Sequence, residues 1–144
     1  MRISTRGRYA LRAMVDLALH ADEAPIARRD IATRQEISAD YVAQLFQALQ
    51  SAGLVEGVMG PGGGYRLLQD ADTISAGDIV QAVEGPIALV HCTLYGPDEE
   101  PSCNRVDSCV AHLLWKRLTE TVAGILDSVT LKDLREEAQQ LSQT

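Results

Sequence analysis

Residues 38–68 read SADYVAQLFQALQSAGLVEGVMGPGGGYRLL, and the order of signals in this stretch decides the fold. Ser38 is a side-chain cap ahead of a run in which Val42, Leu45, Phe46 and Leu49 recur at i, i+3, i+4 and i+7. That spacing predicts a helix to about Ser51, with one apolar stripe against a core and Ala39, Asp40, Ala43, Gln44 and Gln47 turned outward. Gly53 stands where a helix end commonly needs a left-handed residue, and a strand over 54–58 follows. The loop Gly60, Pro61, Gly62, Gly63, Gly64 then reverses the chain into a second strand over 65–68. Because this loop opens onto a strand, and not onto a helix N-terminus with a lysine and a hydroxyl residue, it reads as a hairpin wing and not as a cradle for nucleotide phosphates.

Upstream, Ser4 or Thr5 can cap a first helix whose apolar positions Tyr9, Ala10, Ala13, Met14, Leu17 and Ala18 repeat at helical spacing up to a turn at 22–25. A short helix over 27–34 and a tight polar turn through Gln35 and Glu36 complete a helix-turn-helix with the helix that begins at Ser38. Downstream, Ser75 and Asp78 form a capping-box pair that predicts a helix over 76–84, stopped by Gly85 and Pro86. Residues 91–108 have no sustained period and read as a loop of functional length. From about Cys109 a helix of roughly 20 residues begins, about 30 Å long, and Thr130 with Asp133 caps a last helix. The long helix carries more apolar surface than so small a domain can cover, so Leu114, Leu118, Val122, Ile125 and Val129 are assigned to a dimer interface. Packing onto the chain's own first helix is the competing arrangement. The expected fold is mainly α: a winged helix-turn-helix over 1–85, a cysteine-bearing loop over 86–109, and a dimerisation helix with a C-terminal helix over 110–144.

The 144 residues, 46 % of them hydrophobic, suffice for one compact domain with an appended helix. No apolar run approaches the roughly 20 residues needed to span a bilayer, and the first twelve residues interleave four arginines with polar groups where a signal peptide would be apolar; a cytoplasmic protein without membrane contact is expected. The net charge of −7 is unevenly placed: residues 1–70 hold eight arginines and eight acids, residues 71–144 five bases and twelve acids. Arg2, Arg6, Arg8 and Arg12 precede any acid, and Arg28, Arg29 and Arg34 follow close together, so the first half keeps a phosphate-facing surface despite a pI near 4.8.

All three cysteines, Cys92, Cys103 and Cys109, fall within eighteen positions, and His112 follows one helical turn beyond the last. In a reducing compartment an odd set of three points to ligation or reversible redox chemistry over a disulfide framework. Cys109 and His112 share one face at a helix start, where the helix dipole favours negative charge, and Cys103 and Cys92 lie in the preceding loop. Thiolates with a neutral imidazole suit an iron-sulfur cluster or zinc, and the spacing leaves both open, as it does His91 beside Cys92 as a second imidazole. No oxyanion stabiliser or substrate-pocket pattern accompanies these residues, so the chain is not read as an enzyme.

The opening MRISTRGRYA (1–10), the segment ISADYVAQLF (37–46), the wing GPGGGY (60–65) and the helix start CVAHLLW (109–115) together resemble the IscR-type branch of the Rrf family of winged-helix transcriptional regulators, over residues 1 to about 131. The resemblance implies a homodimer on a palindromic promoter site in double-stranded DNA. It also implies one iron-sulfur cluster per subunit, typically 2Fe-2S, with Cys92, Cys103, Cys109 and His112 at the ligand positions and a response to cluster supply or oxidative stress. Ser38, Asp40, Tyr41 and Gln44 would face DNA from the recognition helix, Gln44 as the base reader because its amide pairs bidentately with adenine. Arg2, Arg6, Arg8, Arg28 and Arg29 would contact phosphate, and Gly60, Gly62 and Gly63 would let the wing backbone approach the duplex. The chain departs from the family in a longer Cys92 to Cys103 gap, in Ala43 where this branch often has Glu, and in Met59 where the wing often offers a basic residue. The alternatives are a 4Fe-4S cluster, zinc, a clusterless thiol regulator, or a winged-helix adaptor whose acidic half docks a protein.

Overall fold

The computed structural model describes residues 3–94, 98–100 and 103–143. The described residues form six α-helices, α1 (Thr5–Leu19), α2 (Arg28–Gln35), α3 (Ala39–Ser51), α4 (Ala76–Glu84), α5 (Val110–Ser128) and α6 (Leu131–Leu141), and a hairpin of β1 (Val55–Val58) and β2 (Gly64–Leu67) that packs on α3 and α1. The starts of four helices follow from their caps. Ser4 accepts from the Gly7 amide and Ser38 from the Tyr41 amide, while Ser75 with Asp78 and Thr130 with Asp133 close complete capping boxes. The amide and hydroxyl of Thr130 hold the Asp133 carboxyl below the usual carboxylate range.

The two strands pair antiparallel with Val55 opposite Leu67 and Val58 opposite Gly64. Ile26 extends the sheet by one bridge, its amide donating to the Tyr65 carbonyl at 2.9 Å and its carbonyl accepting from the Tyr65 amide at 2.8 Å. The core lies beneath this sheet, where Met14 and Leu17 of α1, Ile31 of α2 and Leu45, Phe46 and Leu49 of α3 are fully buried with Ile74, Ile79 and Leu131. Phe46 stacks on Tyr65 with ring centroids 4.3 Å apart, which joins α3 to the hairpin.

Leu131 shows that the last helix belongs to the same core as the first 85 residues. Its amide donates to the Ile74 carbonyl at 2.7 Å, the Ala76 amide donates to the Val129 carbonyl at 2.8 Å, and α6 packs against α1. The boundary expected at residue 110 therefore divides the chain in order, whereas α6 returns to the winged-helix body. Helix α5 packs mainly against α4 and the turn at 91–93. No helix among the described residues is long and apolar enough to cross a membrane.

One charged pair orients the helix-turn-helix. Asp16 of α1 is buried, and its two carboxylate oxygens accept from Arg34 Nε at 2.8 Å and Arg34 Nη2 at 2.7 Å, with Gln35 Nε2 adding a third bond at 2.9 Å. The bond to Asp16 pushes the already high pKa of the Arg34 guanidinium further up. The expectation that Arg34 adds to a phosphate-facing surface is thereby corrected, because a bidentate bond to a buried carboxylate occupies its guanidinium.

Two glycines give a measurable contrast. Gly64 has φ +153°, and a Cβ there would stand 2.0 Å from the Ile26 carbonyl oxygen; Gly53 has φ +76° with open space around it. Gly53→Ala is expected to cost about 1–2 kcal/mol from the left-handed backbone alone. Gly64→Ala must in addition push the Ile26 strand away and lose more than that, as read from urea unfolding midpoints.

Candidate functional site

Two groups of residues carry candidate function, the exposed side of α3 with its flanking arginines and the cysteine-bearing segment against α5. On α3, Ser38, Asp40 and Gln44 are exposed while Val42, Leu45, Phe46 and Leu49 are buried, which leaves the polar side of the helix available to a partner. Tyr41 is half-buried and meets Tyr9 edge-on at 6.0 Å, so its ring also packs against the core. Arg6 and Arg8 are exposed in the first turns of α1, and Arg28 and Arg29 begin α2, where the helix N-terminus adds positive potential. Arg2 lies outside the described residues. Arg12 is occupied within the fold: it donates to the Gln35 carbonyl at 3.0 Å and its guanidinium lies 4.8 Å from the centre of the Tyr9 ring.

At the wing tip Gly60 and Gly62 are exposed, and Gly63 sits so close to the Val58 carbonyl that a Cβ would stand 2.1 Å from its oxygen. Met59 is 94 % exposed, and Arg66 pairs with Glu56 across the hairpin, so the nearest arginine of the wing is neutralised locally.

Of the four candidate ligands, two are in contact. Cys92 lies in a single helical turn at 91–93, and its Sγ is 3.3 Å from Nδ1 of His112. His112 is only 5 % exposed although it lies in the first turn of α5. Cys109 occupies the cap position of α5 without a side-chain cap bond, and both it and Cys103 are half-buried. Among the described residues no group of three or more Cys, His, Asp or Glu side chains is gathered closely enough to hold a metal ion. Thr119 escapes the sequence pattern, because a threonine within an apolar helix carries no distinguishing signal. It is buried, and its hydroxyl oxygen accepts from the Leu89 amide at 3.3 Å.

The apolar side of α5 is open. Leu114, Leu118 and Ile125 are exposed, with Leu113 and Val110 beside them. Val122 and Val129 face their own chain more closely. Val122 helps line a cavity against Val80 and Val83 of α4, and Val129 is the half-buried residue that ends the helix.

Comparison with known proteins gives a consistent assignment. The Rrf2 family model, described as an iron-dependent transcriptional regulator, matches residues 3–137. The HTH-type transcriptional regulator IscR of Serratia proteamaculans (strain 568) is 42 % identical over 134 residues, covering 93 % of this chain and 79 % of the relative. Among solved structures, CymR, the global cysteine regulator of B. subtilis, superposes with a TM-score of 0.76 at 39 % identity, covering 95 % of this chain and 98 % of that one. IscR of T. potens superposes with a TM-score of 0.76 at 33 % identity, covering 98 % and 90 %. All three relatives are regulators and not enzymes. With a family match that runs from α1 through the wing and the cysteine-bearing segment into α6, this chain belongs to the Rrf2 family of transcriptional regulators.

Proposed function

We propose that this regulator acts as a homodimer that binds a palindromic promoter site in double-stranded DNA and senses iron-sulfur status or redox stress through a cluster, of 2Fe-2S type, held by Cys92, Cys103, Cys109 and His112. The observation that carries the reading is the contact of the Cys92 thiol with the buried His112 imidazole at the base of α5, a soft and a borderline donor already side by side. Cys103 and Cys109 lie in the same segment and supply the thiols that would complete the donor set. A bound cluster would supply a centre whose charge and integrity respond to redox conditions. The chain's own part is to present the thiols, to hold His112 away from water and to transmit order in the 92–109 segment to α5.

On DNA, the exposed amide of Gln44 serves as the base reader, with Ser38, Asp40 and Tyr41 around it. Arg6, Arg8, Arg28 and Arg29, with Arg2, position the duplex through phosphate, and Gly60, Gly62 and Gly63 bring the wing backbone to it. The exposed Leu114, Leu118 and Ile125 form an apolar surface suited to a two-fold partner. A second reading, a clusterless thiol regulator using the same cysteines, is favoured by the similarity to CymR, named as a cysteine regulator. The two separate on one measurement, because a cluster absorbs visible light and neither a bare thiol nor zinc does.

In anaerobically purified protein the expected result is visible absorption with matching iron and sulfide. Cys92→Ala, Cys103→Ala and Cys109→Ala should each abolish or severely weaken iron incorporation, and His112→Ala should loosen it. Full iron and sulfide content in Cys103→Ala would sink the ligand set. In DNA binding, Gln44→Ala is expected to cost about 1–3 kcal/mol at the specific site, while Arg28→Ala weakens all duplexes equally and lowers the salt slope by about one. Equal losses on specific and random DNA would remove Gln44 as a base reader. Leu118→Glu combined with Ile125→Glu would place like charges at the two-fold contact and should give monomers in sedimentation; a persistent dimer at micromolar concentration would move the interface elsewhere.

A further inference from the structure

Helix α5 buries two side chains, His112 and Thr119, and both are polar. They are seven residues apart, two turns of helix, and so lie on one face, while Leu113, Leu114, Leu118 and Ile125 of the same helix are exposed. The segment that carries Cys92 packs on this polar face. Thr119 Oγ1 accepts from the Leu89 amide at 3.3 Å and lies 3.5 Å from Thr93 Oγ1, and the Thr93 hydroxyl donates to the Val90 carbonyl at 2.7 Å. A hydroxyl has one proton, and that of Thr93 is engaged with Val90, so the contact between the two hydroxyls uses the Thr119 proton. Leu89 and Thr93 are thereby tied to one side chain, one on either side of the residues leading to Cys92. The 91–93 turn has no side-chain cap of its own.

We infer that Thr119 is a positioning residue for the sensor segment: through the Leu89 amide and the Thr93 hydroxyl it fixes the turn that carries Cys92 and holds its thiol against His112. The inference rests on the reading of Cys92 and His112 as donors. Valine matches the shape of threonine but lacks the hydroxyl, so Thr119→Val would leave the Leu89 amide unpaired at nearly constant volume, and Thr119→Ser would keep the bond.

The test uses the full-length reduced protein under anaerobic conditions, with cobalt(II) as the probe and two readouts, Leu89 amide exchange by NMR and the thiolate-to-cobalt charge-transfer band. Thr119→Val should speed Leu89 exchange about tenfold, the loss of one hydrogen bond, and weaken cobalt binding about 10- to 100-fold with a diminished band. Thr119→Ser should stay close to the wild type in both. Unchanged Leu89 exchange in Thr119→Val overturns the anchor, and faster exchange with unchanged cobalt binding overturns the positioning role. A wild-type protein without a thiolate–cobalt band overturns the donor reading itself and this inference with it, a failure recognisable because it appears before any substitution. If Thr119→Val does not fold, Thr93→Val removes the second tie and must weaken cobalt binding in the same direction; unchanged binding there refutes the network.

Discussion

The Asp16 carboxylate, buried in α1 and bonded by both oxygens to Arg34 and by a third bond to Gln35, is the constraint on which the helix-turn-helix depends. A buried carboxylate without partners is too costly to keep, so α2 must lie where its last turn delivers a guanidinium and an amide to it. The turn after α2 then has little freedom. Glu36 takes the left-handed conformation at φ 57° and the Ile37 amide returns to the Ala32 carbonyl at 3.1 Å, which launches α3 at Ser38. Val42, Leu45, Phe46 and Leu49 press the opposite side of α3 into the core, so the direction in which Gln44 points follows from a charge pair between the two preceding helices.

Helix α5 departs in part from the usual arrangement of a helix on a small protein. Its two buried side chains are an imidazole and a hydroxyl, and its exposed ones include Leu113, Leu114, Leu118 and Ile125. Each half of that pattern answers a separate demand. The polar groups satisfy the backbone and side chains of the 89–93 segment, whose amides have no strand or long helix to pair with. The exposed apolar groups are left uncovered by their own chain and form an apolar surface.

Net charge says little about which surface meets nucleic acid. The chain carries −7, yet its acids concentrate in the second half, and among the arginines of the first half the fold separates two kinds. Arg12 and Arg34 hold helices together through Gln35 and Asp16, and Arg66 is paired with Glu56, whereas Arg6, Arg8, Arg28 and Arg29 are exposed at helix starts. A residue count treats them alike; their partners decide which can meet a phosphate.

The element order, the caps at Ser4, Ser38, Ser75 and Thr130, the glycine turn of the wing and the apolar stripe of α3 were all legible in the sequence, because each is a local signal within a few residues of the element it controls. The clustering of three cysteines near His112 was legible for the same reason. Which of them meet was not, since the contact of Cys92 with His112 spans twenty residues and depends on the 86–94 segment folding back onto α5. The return of Leu131 to the core, the capture of Arg34 by Asp16 and the burial of Thr119 were likewise settled only by the tertiary structure. Each joins residues distant in the chain, and periodicity reports which side of an element is apolar without reporting what will cover it.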